Sequence, residues 1–210
     1  MKNGYFITFE GGEGVGKTTQ ISILADALKS QGHDVVTTRE PGGTPHAEAI
    51  RNLLSDPELG KGFHPEAEAY MFTAARHMHV QDVIKPALEA GKIVLCDRYA
   101  DSTYVYQGHV QGLNMNLLDD LITKSSDGCL PNLTLVFDLT AEEGLKRVQA
   151  RGVRDHYDEQ DADFYDQIRQ GFLKQAEQNK DRCVIVDASR SIDDIAADIS
   201  TIVTERLIDV

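Results

Sequence analysis

Short runs rich in Val, Ile, Leu and Phe recur along the chain, separated by longer stretches in which apolar residues return every three or four positions. The runs are YFITFE (Tyr5–Glu10), DVVTT (Asp34–Thr38), KIVLCD (Lys92–Asp97), LTLVFD (Leu133–Asp138) and CVIVDA (Cys183–Ala188). Several are almost continuously apolar, as strands covered on both faces of a parallel sheet must be. Between them, Ile21, Leu24, Ala25 and Leu28 share one helical face that stops at Gly32. Near the end, Ile192, Ile195, Ile199 and Ile202 repeat behind Ser191, a residue suited to an N-cap. Alternating β and α segments predict a three-layer α/β fold, a parallel sheet of about five strands with helices on both faces. No repeat and no linker rich in Pro, Gly or Ser interrupts the pattern, so residues 1–210 read as a single domain.

Ligands of such sheets lie beyond the carboxyl ends of the strands. Three polar clusters follow strand ends directly: the loop from Gly11, REPGGT after Thr38, and DRYADSTYVYQG from Asp97. Composition changes the picture only at its edges. A formal net charge of −13 argues against a generic nucleic-acid or anionic-membrane surface, and leaves room for a small anion in a local basic pocket. Cys96, Cys129 and Cys183 form no C-x-x-C pair, and two of them lie in apolar runs, which suits free thiols in a reducing compartment. No apolar run approaches the ~20 residues of a membrane span, and the N-terminus enters a strand without a secretory core. The expectation is a cytoplasmic protein with no nucleic-acid or membrane partner.

The first cluster carries the most specific chemistry. Gly11, four intervening residues (Gly12, Glu13, Gly14, Val15), then Gly16, Lys17 and Thr18 spell the phosphate-binding P-loop, placed between a strand and a helix as it must be, with Thr19 following. Glycines let backbone N–H groups approach phosphate oxygens, and the helix start adds its positive end. Lys17 supplies a point charge, and the Thr18 hydroxyl is a Mg²⁺ ligand. The loop announces a nucleoside triphosphate without saying what is done with it. A guanine-reading Asn-Lys-x-Asp is absent; in NKDR (Asn179–Arg182) an arginine occupies the required aspartate position. No second lysine of the partitioning ATPases stands early in the loop, where Gly12 is found. Small-molecule kinases and related transferases remain.

FEGGEGVGKTT, TREPGGT, MFTAAR, CDRYADSTYVYQG and PNLTLVFDL, in this order and spacing, resemble the thymidylate kinases, specifically the bacterial branch whose catalytic basic residues lie in a lid. The resemblance spans nearly the whole chain. It implies phosphoryl transfer from Mg-ATP to dTMP, giving dTDP for dTTP synthesis, and a homodimer. It also implies site roles. Glu13 would face the acceptor and bind the dTMP 3′-hydroxyl. Asp97 would help hold Mg²⁺ with Thr18, and Arg98 would bind the acceptor phosphate. Phe72 would stack on thymine and Arg76, four residues on and so on the same helical face, would donate to a thymine carbonyl. Gln107 would meet the base edge, Tyr106 would crowd the sugar C2′, and Ser102, placed in a loop, would lie near the base. Arg39 and Arg51 are further basic candidates near the acceptor. A lid over about 150–165 would close on ATP, with Arg151 at its start. Where the branch carries Asp-Arg-aromatic, this chain has Asp155-His156-Tyr157, so Arg154 becomes the candidate lid cation and His156 its rival. Two other readings share the P-loop: a kinase for dUMP or a deoxynucleoside, and a regulatory protein that binds ATP without turning it over.

Overall fold

β1 (Tyr5–Glu10) is buried at all six positions because it lies at the centre of a five-stranded parallel sheet. It pairs with β3 (Ile93–Asp97) on one side and β4 (Leu133–Asp138) on the other, while β2 (Val35–Arg39) and β5 (Cys183–Asp187) form the edges, in the order β2-β3-β1-β4-β5. The molecule, a computed structural model, is described at residues 4–151 and 160–208. The central three strands are the continuous apolar runs. The edge strands alternate with exposed positions, which is why DVVTT and its neighbours are the weaker signals.

Each face of the sheet has its own core. On one, Ile7, Phe9, Leu95 and Leu135 meet Ile21, Leu24 and Leu28 of α1 (Lys17–Ser30) and Ile195, Ile199 and Val203 of α9 (Ile192–Ile208). The expected stripe of α9 is corrected at its first position. Ile192 is 56% exposed, because it starts the helix before the helix reaches the sheet, and Val203 completes the buried face instead. Ser191 caps α9 as expected, accepting from Asp194 N at 3.2 Å. On the other face, Phe6, Val94 and Cys96 pack on α3 (Pro65–His79), on its π-helical continuation Val80–Ile84 into α4 (Lys85–Glu89), and on α6 (Met115–Ser126). α2 (Pro45–Ser55) lies against α3. α8 (Ala162–Gln178) packs on β4 and on a helical stretch that begins as α5 (Ala100–Thr103) and runs on as a π-helix over Tyr104–Val110; α7 (Ala141–Arg151) leads toward α8. Cys96, Cys129 and Cys183 are free thiols, and Cys96 and Cys183 are buried.

One expectation changes with this layout. The segment after Asp97 is helical from Ala100, so Ser102 sits on a helix. The polar cluster read as a loop is the turn-by-turn exposure of helix residues toward one cleft. Of the expected lid, about 150–165, residues 152–159 lie outside the described residues, and its two ends are the last residues of α7 and the first of α8.

Candidate active site

The P-loop curls between β1 and α1 with two glycines that no other residue replaces. Gly11 has φ +134°, and a Cβ there would stand 2.7 Å from the Phe137 carbonyl; Gly14 has φ +74°, and its Cβ would stand 2.6 Å from that of Gly144. Gly16 forms the N-cap of α1, and no side chain caps the first turn, so its N–H groups are available to an anion. Val15 turns into the core, whereas Thr18 and Thr19 face outward. Lys17 is buried and donates to the carbonyls of Gly11 (3.0 Å) and Gly12 (2.7 Å). Burial first, and then the neighbouring Arg98, hold its pKa below the ordinary lysine value. The Thr18 hydroxyl donates to Asp97 Oδ2 at 3.1 Å. Two hard oxygen ligands thus stand side by side at the loop mouth. Mg²⁺ characteristically uses one or two such groups and completes its shell with water and phosphate oxygens, so these residues fit that ion. Among the described residues there is no cluster of three or more His, Cys, Asp or Glu that could hold a metal.

Arg98 follows β3 with φ 67°, a left-handed conformation that costs a non-glycine residue about 1–3 kcal/mol. Its N–H donates to Phe9 O at 3.0 Å, anchoring the turn to β1. The turn throws the side chain across the P-loop, where Nη1 donates to Gly11 O (3.0 Å) and Ser102 Oγ (3.2 Å) and Nη2 pairs with Glu13. Its guanidinium lies 5.2 Å from the centre of the Tyr106 ring. Burial opposes this charge, but Glu13, Tyr106, Asp97 and Glu10 outweigh it and raise the Arg98 pKa above its ordinary value. Glu13 thus lines a cleft together with Arg98.

Beneath Arg98 lies Glu10, fully buried at the end of β1. It accepts from Tyr99 N (2.8 Å), Ser102 N (3.3 Å) and Ser102 Oγ (2.6 Å), so it caps the helix that carries Ser102, Tyr106 and Gln107. Burial, with help from Asp101, raises the Glu10 pKa to about 7. The folded chain therefore retains a proton that the unfolded chain loses above its ordinary 4.5. That contribution to stability is complete below the unfolded value and is lost as pH rises toward 7. Urea titrations between about pH 5 and 7 should show a smaller loss of stability with rising pH in Glu10→Gln than in the parent; parallel curves would contradict the assignment.

The cleft runs from Glu13 and Arg98 to Phe72, Arg76 and Gln107, and is walled by Arg51, Ser102 and Tyr106. Arg76 is 2% exposed. Its Nε donates to Glu40 at 2.7 Å and Nη2 to Thr103 at 2.9 Å, whereas Nη1 is buried with no hydrogen-bond partner among the described residues. A buried donor left unmade costs about 1–3 kcal/mol, so this atom marks a place for an acceptor. Glu40 is held in turn by His79 Nδ1 at 3.0 Å. Phe72 is half-buried on the same face of α3, one turn from Arg76. Gln107 is 1% exposed, and Arg51 donates to Pro41 O at 3.1 Å.

Of the residues expected from sequence, Glu13, Arg51, Phe72, Arg76, Arg98, Ser102, Tyr106 and Gln107 thus line one cleft. Arg39 does not. It is half exposed and paired with Glu48 at 2.9 Å, because the last residue of an edge strand points its side chain outward. Arg151 ends α7, and Arg154 and His156 lie outside the described residues. Glu10, Glu40, Glu68 and His79 were missed. The signal for Glu10 was present, since an acid closing a continuously apolar strand needs a buried partner. Glu40 lies within TREPGGT and Glu68 just before MFTAAR, but which partner each takes depends on the tertiary fold.

The family model described as "Thymidylate kinase" matches residues 9–199. Thymidylate kinase of Caulobacter vibrioides is 46% identical over 207 residues, covering 99% of both chains, and that of Syntrophotalea carbinolica is 43% identical over 197 residues, covering 91% of both. The crystal structure of thymidylate kinase from Ehrlichia chaffeensis matches with a TM-score of 0.77 at 35% identity, covering 96% of this chain and 99% of that one. A P-loop, a cleft with basic groups at both ends and relatives matched end to end lead to one statement: the chain belongs to the thymidylate kinase family.

Proposed function

We propose that this chain transfers the γ-phosphoryl group of ATP to the phosphate of dTMP, giving dTDP and ADP. The observation that carries the acceptor assignment is the unpartnered Nη1 of Arg76, a buried donor in a cleft shared with Phe72 and Gln107. Thymine offers O4 as an acceptor where cytosine offers an amino donor. Stacking on Phe72 accepts any base, and Arg76 then discriminates. At the other end, Arg98 takes the dTMP phosphate, with Arg51 adding charge, and Glu13 accepts from the 3′-hydroxyl. Tyr106, whose hydroxyl lies 3.5 Å from Glu13, borders the sugar and leaves no room for a 2′-hydroxyl.

An oxygen of the acceptor phosphate attacks the γ-phosphorus in line, the bond to the β,γ-bridging oxygen breaks, and ADP leaves with that electron pair. The enzyme contributes position and charge, which supply most of the catalysis in such transfers. Lys17 exchanges its loop carbonyls for phosphate oxygens, and the amides of Gly14 to Thr18 cradle them. Arg98 holds the incoming oxygen's phosphate beside the loop, and Arg151 and Arg154 close from the lid and exclude water. Thr18 and Asp97 would hold magnesium, which would supply positive charge against the transferring phosphates.

The chain acts as a homodimer in the cytoplasm. The family resemblance supports the dimer, and Leu53 on α2 and Tyr70 on α3, 37% and 48% exposed, offer apolar surface on adjacent helices. Among the described residues no helix is long and apolar enough to cross a membrane.

A coupled assay with ATP and a panel of monophosphates tests the acceptor. We expect dTMP to be best, dUMP ~10–200-fold worse for want of the 5-methyl contact, and dCMP worse still. Equal use of dCMP and dTMP would overturn the assignment.

A further inference from the structure

The amide of Gln107 has two faces, and only one suits thymine. Its oxygen can accept from thymine N3–H; its nitrogen can only donate, and so suits the bare N3 of cytosine. The choice is made behind the cleft by Glu68, which does not line it. Glu68 stands on α3 one turn before Phe72 and two before Arg76, 7% exposed. Its Oε1 accepts from Gln107 Nε2 at 3.3 Å, and its Oε2 accepts from Gln111 Nε2 at 2.7 Å. An ionised carboxylate has no donor. A reversed Gln107 would therefore set two oxygens against each other in a buried site, where an unmade polar contact is most costly. Gln111 holds the second oxygen, so Glu68 cannot turn away to relieve the clash. The Gln107 nitrogen is thus committed to Glu68, and its oxygen is left for the cleft.

We propose that Glu68 is a specificity-determining positioning residue: acting through Gln107, it fixes the accepting face of the amide toward the base and so favours thymine over cytosine. The inference rests on the reading of the cleft as the dTMP site. It complements the Arg76 donor, because a donor for O4 and an acceptor for N3–H together match thymine and mismatch cytosine at both atoms.

The test is the kcat and KM of dTMP and dCMP, with ATP, in the parent, Glu68→Gln, Glu68→Asp and Gln107→Ala. A glutamine at 68 has nearly the same shape and can either donate or accept, so Gln107 is released to turn over. In Glu68→Gln the ratio of kcat/KM for dTMP to that for dCMP should fall ~10-fold or more, about the worth of one hydrogen bond made or opposed. The loss should appear in the KM for dTMP, with kcat within ~2-fold, as expected for a residue remote from the transferring group. Glu68→Asp keeps the carboxylate and should keep the ratio. Should Glu68→Gln fold poorly, Glu68→Met removes the carboxylate at similar volume and should lower the ratio in the same way. An unchanged ratio in the folded variant lacking the carboxylate, with a lowered ratio in Gln107→Ala, overturns the role of Glu68 alone. An unchanged ratio in Gln107→Ala as well overturns the reading of the cleft itself.

Discussion

Replacing Arg98 with alanine is expected to lower kcat/KM for dTMP between ~30-fold and several-thousand-fold, with little change in the KM for ATP. The range comes from the about 2–5 kcal/mol cost of truncating one partner of a buried charged pair, and the partial exposure of Arg98 and Glu13 favours its lower end. Arg98 is such a partner twice over. It pairs with Glu13 and it lies in the field of the buried Glu10, so its removal leaves one carboxylate without its ion-pair partner and raises the Glu10 pKa further. It also removes the guanidinium proposed to meet the acceptor phosphate. Arg98→Lys should recover only part of the loss, because a point charge cannot span the Gly11 carbonyl, Ser102 and Glu13 as the planar fork does. Steady-state kinetics with each substrate varied in turn checks this. A dTMP kcat/KM within ~3-fold of the parent, or a loss confined to ATP, would refute an acceptor-side role.

The second large effect is expected in the lid. Transfer spreads negative charge over the equatorial oxygens, and a missing cation there can cost ~10³-fold or more in turnover. This chain carries His156 where the family resemblance implies an arginine, and a histidine at its unperturbed pKa of about 6.5 is mostly neutral at pH 7. Arg154 needs no such shift to serve. Arg154→Ala should therefore lower kcat by ~10³-fold with a modest change in ATP affinity, and His156→Ala should be milder. Turnover of the parent should stay level between about pH 6 and 8, since no histidine ionisation is then required. The reverse pattern, with His156→Ala inactive, Arg154→Ala active and a single ionisation near neutrality, would assign the charge to the histidine.

The fold was legible because its central strands are buried on both faces and so cannot hide their composition: YFITFE and LTLVFD coincide with β1 and β4 to the residue. The P-loop was legible because its glycines answer backbone demands that no other residue meets. Most residues lining the cleft were singled out too, but through family resemblance, since Phe72 alone reads as core. What sequence left out is the support behind the cleft. Glu10, Glu40, Glu68 and His79 act through partners 36 to 92 positions away, as in the Arg76–Glu40 and Ser102–Glu10 bonds, and no local pattern encodes such a pairing. Arg39 stands apart from the cleft for the converse reason. It sits inside a specific motif, yet strand alternation at a sheet edge turns its side chain outward to Glu48. Ser102 was placed in a loop because its neighbours are polar and β-branched, whereas Glu10 caps the segment from another strand and makes it helical.

The central claim is that one buried, unpartnered nitrogen, Arg76 Nη1, reads the base. The most direct measurement is a crystal structure of the protein with dTMP bound. The account predicts thymine stacked on Phe72 with O4 at about 3 Å from Arg76 Nη1, the ordinary length of such a bond, and the 5′-phosphate on Arg98. A base bound elsewhere, or turned so that Arg76 Nη1 still meets no acceptor, would contradict it.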